Sequence, residues 1–119
     1  MKNEMKSVGP YSVSRWAGDL LFISGQLPIN QETGELEKDL VAQCERSLAN
    51  IELVLENESL TLDDVVKLTV LMNDLEDFDE INKLFEKRFN QPYPSRSTFE
   101  VSRLPKDALV EIEAIAFKK

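Results

Sequence analysis

Arg96 and Glu111 are the residues of this sequence best suited to chemistry on a small acid. Arg96 opens the alternating run Arg96-Ser97-Thr98-Phe99-Glu100, and Glu111 and Glu113 sit two apart in a second run, Val110-Glu111-Ile112-Glu113. A guanidinium presents a planar fork of N–H donors that holds a carboxylate through two parallel bonds. A carboxylate placed near it can orient a water or move a proton. The same residues also describe an internal salt bridge from Arg96 to Glu100, Glu111 or Glu113, and the pattern leaves both readings open. Burial and Glu113 would raise the Glu111 carboxyl and Arg96 would lower it, so the sign of its shift is open as well. The chain has no histidine. Ser-His-Asp and Cys-His nucleophiles, an imidazole base and histidine-bound zinc are therefore excluded. Chemistry has to run on carboxylates, arginine, hydroxyls and backbone.

Other residues carry weaker signals. Tyr11 follows Gly9-Pro10 and could line a pocket, although an aromatic in a first strand is more often packing. The single cysteine, Cys44, falls on an apolar helical stripe, which makes it structural and leaves no internal disulfide. Asn82 has the default reading of a solvated helix residue. Gly25, at the end of an apolar run, suggests a bulge or a close approach to the backbone. There is no Gly-rich phosphate loop, CxxC pair or metal-spaced ligand set.

The elements that must position these residues follow from periodicity. A strand ending at Trp16 turns at Gly18-Asp19 into Leu20-Leu21-Phe22-Ile23, a hairpin pattern. Pro28 and Thr33-Gly34 mark a loop. From Lys38, the spacing of Leu40, Cys44, Leu48, Ile51 and Leu55 predicts a helix of about five turns. Val66, Leu68, Val70 and Met72 alternate as a strand, and Phe78, Ile81, Phe85 and Phe89 form a second helical stripe, read as core, that Pro92 and Pro94 end. Two further alternating runs, Arg96 to Arg103 and Leu109 to Phe117, flank Leu104-Pro105-Lys106-Asp107 and predict an antiparallel hairpin. Phe99 and Val101 are expected to share the core face with Val110, Ile112, Ala114 and Ala116. Arg96, Thr98 and Glu100 are then expected on the other face, beside Glu111, Glu113, Ile115 and Phe117.

The order is β-β-α-β-α-β-β, an α+β fold with two helices on one face of a mostly antiparallel sheet. The uncovered face carries Leu71, Ile115 and Phe117 and is too apolar to remain in water, which predicts an oligomer. The 119 residues make one domain, with 42% hydrophobic and 30% charged residues in the ordinary globular range. Net charge of −8 and a pI near 4.6 set long-range electrostatics against nucleic acid and anionic membrane surfaces as partners. The charged start, Met1 to Glu4, has no signal-peptide character and no apolar run reaches the length of a membrane span. The expected location is cytoplasmic.

The same segments resemble the Rid family of reactive intermediate deaminases, also called YjgF, and its RidA-like subfamily in particular. The resemblance covers nearly the whole chain. It runs through Gly9-Pro10-Tyr11-Ser12, Ser24-Gly25-Gln26-Leu27-Pro28, Thr33-Gly34, Asp77-Phe78 with Asn82, Pro94-Ser95-Arg96-Ser97-Thr98, Arg103-Leu104-Pro105-Lys106-Asp107-Ala108 and Val110-Glu111-Ile112-Glu113-Ala114-Ile115-Ala116. It implies a chorismate-mutase-like subunit in a homotrimer with clefts between subunits. It also implies hydrolysis of enamines and imines such as 2-aminoacrylate and 2-iminobutyrate, made by pyridoxal-phosphate dehydratases, to 2-oxo acids and ammonia, with no cofactor or metal. By position, Arg96 is the substrate-carboxylate ligand, the Thr98 backbone a further contact, and Glu111 the group for water activation or proton transfer. Tyr11, Gly25 and Asn82 match other cleft residues. Many members carry cysteine where this chain has Thr98, a departure that removes thiol reactivity there but not imine hydrolysis. A noncatalytic small-carboxylate sensor and an RNA-cleaving translation inhibitor are the alternative functions.

Overall fold

Gly18 takes φ +60°, which lets a two-residue loop return the chain at the first hairpin. It joins β1 (Ser14–Ala17) to β2 (Leu20–Gln26) in antiparallel pairing, Ser14 opposite Ile23 and Ala17 opposite Leu20. The computed structural model describes Ser7 and residues 9–119, so the charged Met1 to Glu4 start lies outside the described residues. Helix α1 spans Leu40–Asn57, and Asp39 caps it by accepting a hydrogen bond from the Ala42 N–H at 2.9 Å. Strand β3 (Val65–Met72), helix α2 (Phe78–Arg88), strand β4 (Ser95–Glu100) and strand β5 (Val110–Phe117) complete the order. Both helices pack on one face of a five-stranded sheet. Among the described residues no helix is long and apolar enough to cross a membrane.

The core lies between sheet and helices and uses the predicted stripes. Leu21 and Ile23 of β2, Leu68, Val70 and Met72 of β3, and Val110, Ile112, Ala114 and Ala116 of β5 are buried against Cys44, Leu48, Ile51 and Leu55 of α1 and Ile81 and Phe85 of α2. A second stripe on α1 is polar and was not legible in the sequence. Gln43 and Asn50 are buried, and they bond backbone. Asn50 Nδ2 donates to the carbonyls of Leu27 and Ile29, each at 3.0 Å. Gln43 accepts from the Leu109 N–H at 2.8 Å and donates to the Glu37 carbonyl at 2.9 Å. These bonds fasten the loop after β2 and the start of β5 to the helix.

The strand order corrects the last predicted hairpin. The sheet runs β1-β2-β5-β3-β4, with β4 parallel to β3 and β5 between β2 and β3. The cause is the β3-α2-β4 crossover, which returns the chain in parallel beside β3 and leaves β5 to insert across the sheet. The facing of β4 is corrected with it. Arg96, Thr98 and Glu100 are level with Leu68, Val70 and Met72 on the helix side, and Ser97 and Phe99 are level with Thr69 and Leu71 on the uncovered side. Phe99, expected in the core, is 53% exposed. Glu111, Glu113 and Ile115 are level with Leu71, Thr69 and Lys67, so they and Arg96 occupy opposite faces of the sheet.

Candidate functional site

On the helix side, α2 presents Phe78, Asn82 and Phe85 at i, i+4 and i+7, one stripe directed at β4. Asn82 Oδ1 accepts a hydrogen bond from Arg96 Nη2 at 2.7 Å. The guanidinium carbon lies over the Phe78 ring at 5.1 Å from its centroid and over the Phe85 ring at 5.4 Å. Phe85 in turn meets Phe89 edge to face at 5.6 Å. Arg96 is half-buried and pairs with no carboxylate among the described residues. That overturns the internal salt-bridge reading. Glu100 is engaged elsewhere, accepting from the Leu75 N–H at 3.0 Å. Burial pulls the Arg96 guanidinium below its ordinary value, although an arginine still keeps its charge at neutral pH. A cavity of about 380 Å³ opens at this point, lined by Leu68, Asn82, Phe85, Phe89, Tyr93 and Arg96 among others.

The Thr98 backbone adds a donor to this half. β4 is an edge strand, and the bond from the Val101 N–H to the Met72 carbonyl at 2.8 Å fixes its alternation. Odd-numbered residues turn their backbone to β3, so the N–H of Thr98 faces the outer edge. The Thr98 hydroxyl is buried and has no hydrogen-bond partner among the described residues. The site therefore offers a guanidinium fork and an outward N–H near one another, a pair suited to a carboxylate. Cys44, on the buried stripe of α1, is inert, because burial pushes its thiol up to about 12.

The other half lies on the uncovered face. The β2–β5 register slips between Ile23 and Gln26, a bulge at Ser24-Gly25 where the sequence suggested one. A side-chain carbon at Gly25 would stand 2.8 Å from a Glu111 carboxylate oxygen, so a larger residue there would displace the Glu111 carboxyl from its present place. The Glu111 carboxyl is half-buried and raised above its ordinary value, first by that burial and second by the charge of Glu113. Tyr11 lies on this side too, in a cavity of about 660 Å³ with Arg15, Ser24, Lys67, Thr69 and Glu113. Lys67 Nζ donates to Ser97 Oγ at 2.9 Å.

The six residues singled out in the sequence thus form two groups. Arg96, Asn82 and Thr98 lie together, as do Glu111 and Gly25, with Tyr11 on the same face. The groups do not meet within one chain. Arg96 and Glu111 are two strands and three residue levels apart on opposite faces, roughly 10 Å in each in-plane direction. Sequence reasoning missed Phe78 and Phe85, which it assigned wholly to the core. The spacing of Phe78, Asn82 and Phe85 was the available signal.

Two helices on one face of a mixed, mostly antiparallel five-stranded sheet, with an unpaired guanidinium at its edge and a glutamate against a bulge glycine, define the α+β class of chorismate-mutase-like Rid proteins. The family model described as Endoribonuclease L-PSP matches residues 1–118. The chain belongs to that family, the Rid or YjgF family. It is 46% identical to a RutC family protein of Pyrococcus horikoshii, covering 99% of this chain and 94% of that one. It is 41% identical, with the same coverage, to the 2-iminobutanoate/2-iminopropanoate deaminase of Escherichia coli K12. The crystal structure of RidA from an Antarctic Psychrobacter matches with a TM-score of 0.91 at 40% identity, covering 95% of this chain and 92% of that one.

Proposed function

We propose that this protein hydrolyses reactive enamines and imines, 2-aminoacrylate and 2-iminobutanoate among them, to 2-oxo acids and ammonia. The observation that carries this reading is Arg96, a half-buried guanidinium held by Asn82, Phe78 and Phe85 with no acidic partner among the described residues. Its remaining N–H groups and the Thr98 N–H take the substrate carboxylate. The deaminase relative at 41% identity supports the choice of substrate.

In the proposed reaction Glu111 accepts a proton from water as the water oxygen bonds to the imine carbon. The C=N pair of electrons moves to nitrogen, which is protonated. The tetrahedral carbinolamine then loses ammonia as its hydroxyl proton departs and the carbonyl forms. An enamine enters the same sequence after protonation at carbon. Positioning and one proton-transfer group meet so modest a demand.

One chain does not bring the two halves together, so each site takes Arg96, Asn82 and Thr98 from one copy and Glu111, Gly25 and Tyr11 from the next, in a homotrimer. The edge position of β4 supports this, since Arg96 sits where a neighbouring copy can reach it. So do Phe22, Phe99 and Phe117, which project from the uncovered face at 44%, 53% and 41% exposure. The name of the family model includes ribonuclease activity, yet net charge −8 and the absence of histidine work against binding and cleaving RNA.

The test uses 2-iminobutanoate generated in situ by a threonine dehydratase, with residual imine trapped by semicarbazide. Wild type is expected to accelerate imine loss and Arg96→Ala to lose about 100-fold or more of that acceleration. Equal acceleration by both proteins contradicts the reading. Binding of 2-oxobutanoate without turnover makes the protein a carboxylate sensor instead.

A further inference from the structure

An acidic neighbour would steady Arg96, but a carboxylate beside it would occupy the donors that the substrate needs. The face of an aromatic ring attracts a cation and takes none of its N–H groups. Phe85 supplies such a face from the core, where it is buried and braced by Phe89. Phe78 supplies the second, and it is not a core residue: it begins α2, is only half-buried, and its ring centroid lies 5.1 Å from the Arg96 guanidinium carbon. With Asn82 taking one Nη2 hydrogen, two rings and one amide fix the plane of the fork.

We propose that Phe78 is a positioning residue of the carboxylate site, its ring face orienting Arg96 while leaving the remaining N–H donors to the ligand. This rests on the reading of Arg96 as a carboxylate ligand. Phe78 acts through Arg96 and touches no reacting atom. What matters is then the π face and not the apolar volume, and leucine and tyrosine at this position separate the two. Phe78→Leu keeps an apolar side chain in a half-exposed place and removes the ring; Phe78→Tyr keeps the ring.

The experiment measures 2-oxobutanoate affinity by calorimetry, kcat and KM for 2-iminobutanoate, and the NMR position of the Arg96 Nε–H, in wild type and both variants. Phe78→Leu is expected to weaken 2-oxobutanoate binding and raise KM by about 5- to 10-fold, with kcat within about 2-fold, and Phe78→Tyr to restore both. The Nε–H resonance, held upfield by the ring currents, is expected to move downfield in Phe78→Leu alone. Wild-type affinity and an unmoved resonance in Phe78→Leu overturn the proposal, as does an equal loss in the leucine and tyrosine variants. If wild type neither binds 2-oxobutanoate nor turns over the imine, the deaminase reading falls, and the role of Phe78 in it falls too. A wild type that does both while Phe78→Leu is unaffected removes the role of Phe78 alone.

Discussion

Burial at Glu111 opposes its charge, and Glu113 on the same face adds to the effect. A carboxyl raised above the ordinary glutamate value of 4.5 is a stronger base once ionised, which suits proton removal from water near neutral pH. The rate is therefore expected to rise with pH along an acid limb set by Glu111, which burial and Glu113 raise and the Arg96 of the neighbouring copy in the proposed site lowers. Replacing Glu113 with glutamine removes a like charge and favours ionised Glu111. The acid limb of kcat/KM for Glu113→Gln is expected to move to lower pH than in wild type, and a pH–rate profile of the two proteins checks it. At this scale the sequence was legible in residue type. Residue type and spacing singled out Arg96 and Glu111, the absence of histidine limited the chemistry to groups of that kind, and the resemblance to the Rid family added Gly25, Tyr11, Asn82 and Thr98. The sequence could not show that Arg96 bonds Asn82, because that contact joins two elements whose packing no local spacing encodes. Nor could it give the sign of the Glu111 shift within one chain, which depended on Arg96 lying on the far face.

Elements were legible wherever one period held over several turns or pleats. The stripe of α1, Ile81 and Phe85 of α2 and the alternation of β3 from Leu68 to Met72 appear in the structure because burial of those apolar faces is what stabilises each element, whereas Val66 is turned out to 44% exposure where the register slips beside it. The pairing of β4 was not legible, since alternation reports two faces and says nothing about which strand lies alongside. Phe99 then misled the facing: at an edge strand, the helix side is filled by Arg96 under the rings of α2, and the phenylalanine is left on the uncovered side. The polar stripe of α1 was hidden for a related reason. Gln43 and Asn50 look like ordinary helix residues until the loop at Leu27 to Glu37 folds over them. Asn50 is fully buried and satisfies two carbonyls, so Asn50→Ala is expected to destabilise the fold by about 2–4 kcal/mol, read by chemical denaturation. A loss below about 0.5 kcal/mol would mean that the loop finds other partners.

For the molecule as a whole, the sheet has one face covered by helices and one that exposes Phe22, Phe99 and Phe117. Such a surface favours association, and in the proposed trimer the edge of one sheet would meet the open face of the next. Sedimentation is expected to give a mass of three times the 13.6 kDa of the chain. A monomer would remove both the cover for the face and the partner half of the site. The asymmetry of the sheet was legible in the sequence, since two helices can clothe only one face. The clefts between copies were implied by the family resemblance alone, and the strand order adds which residues each copy would supply in the proposed site. The most direct measurement of the whole account mixes Arg96→Ala with Glu111→Gln, each inactive alone, by unfolding and refolding them together. A site shared between copies predicts that imine hydrolysis returns to about a quarter of the wild-type rate, from junctions that pair an intact Arg96 with an intact Glu111. A refolded mixture as inactive as its components would contradict it.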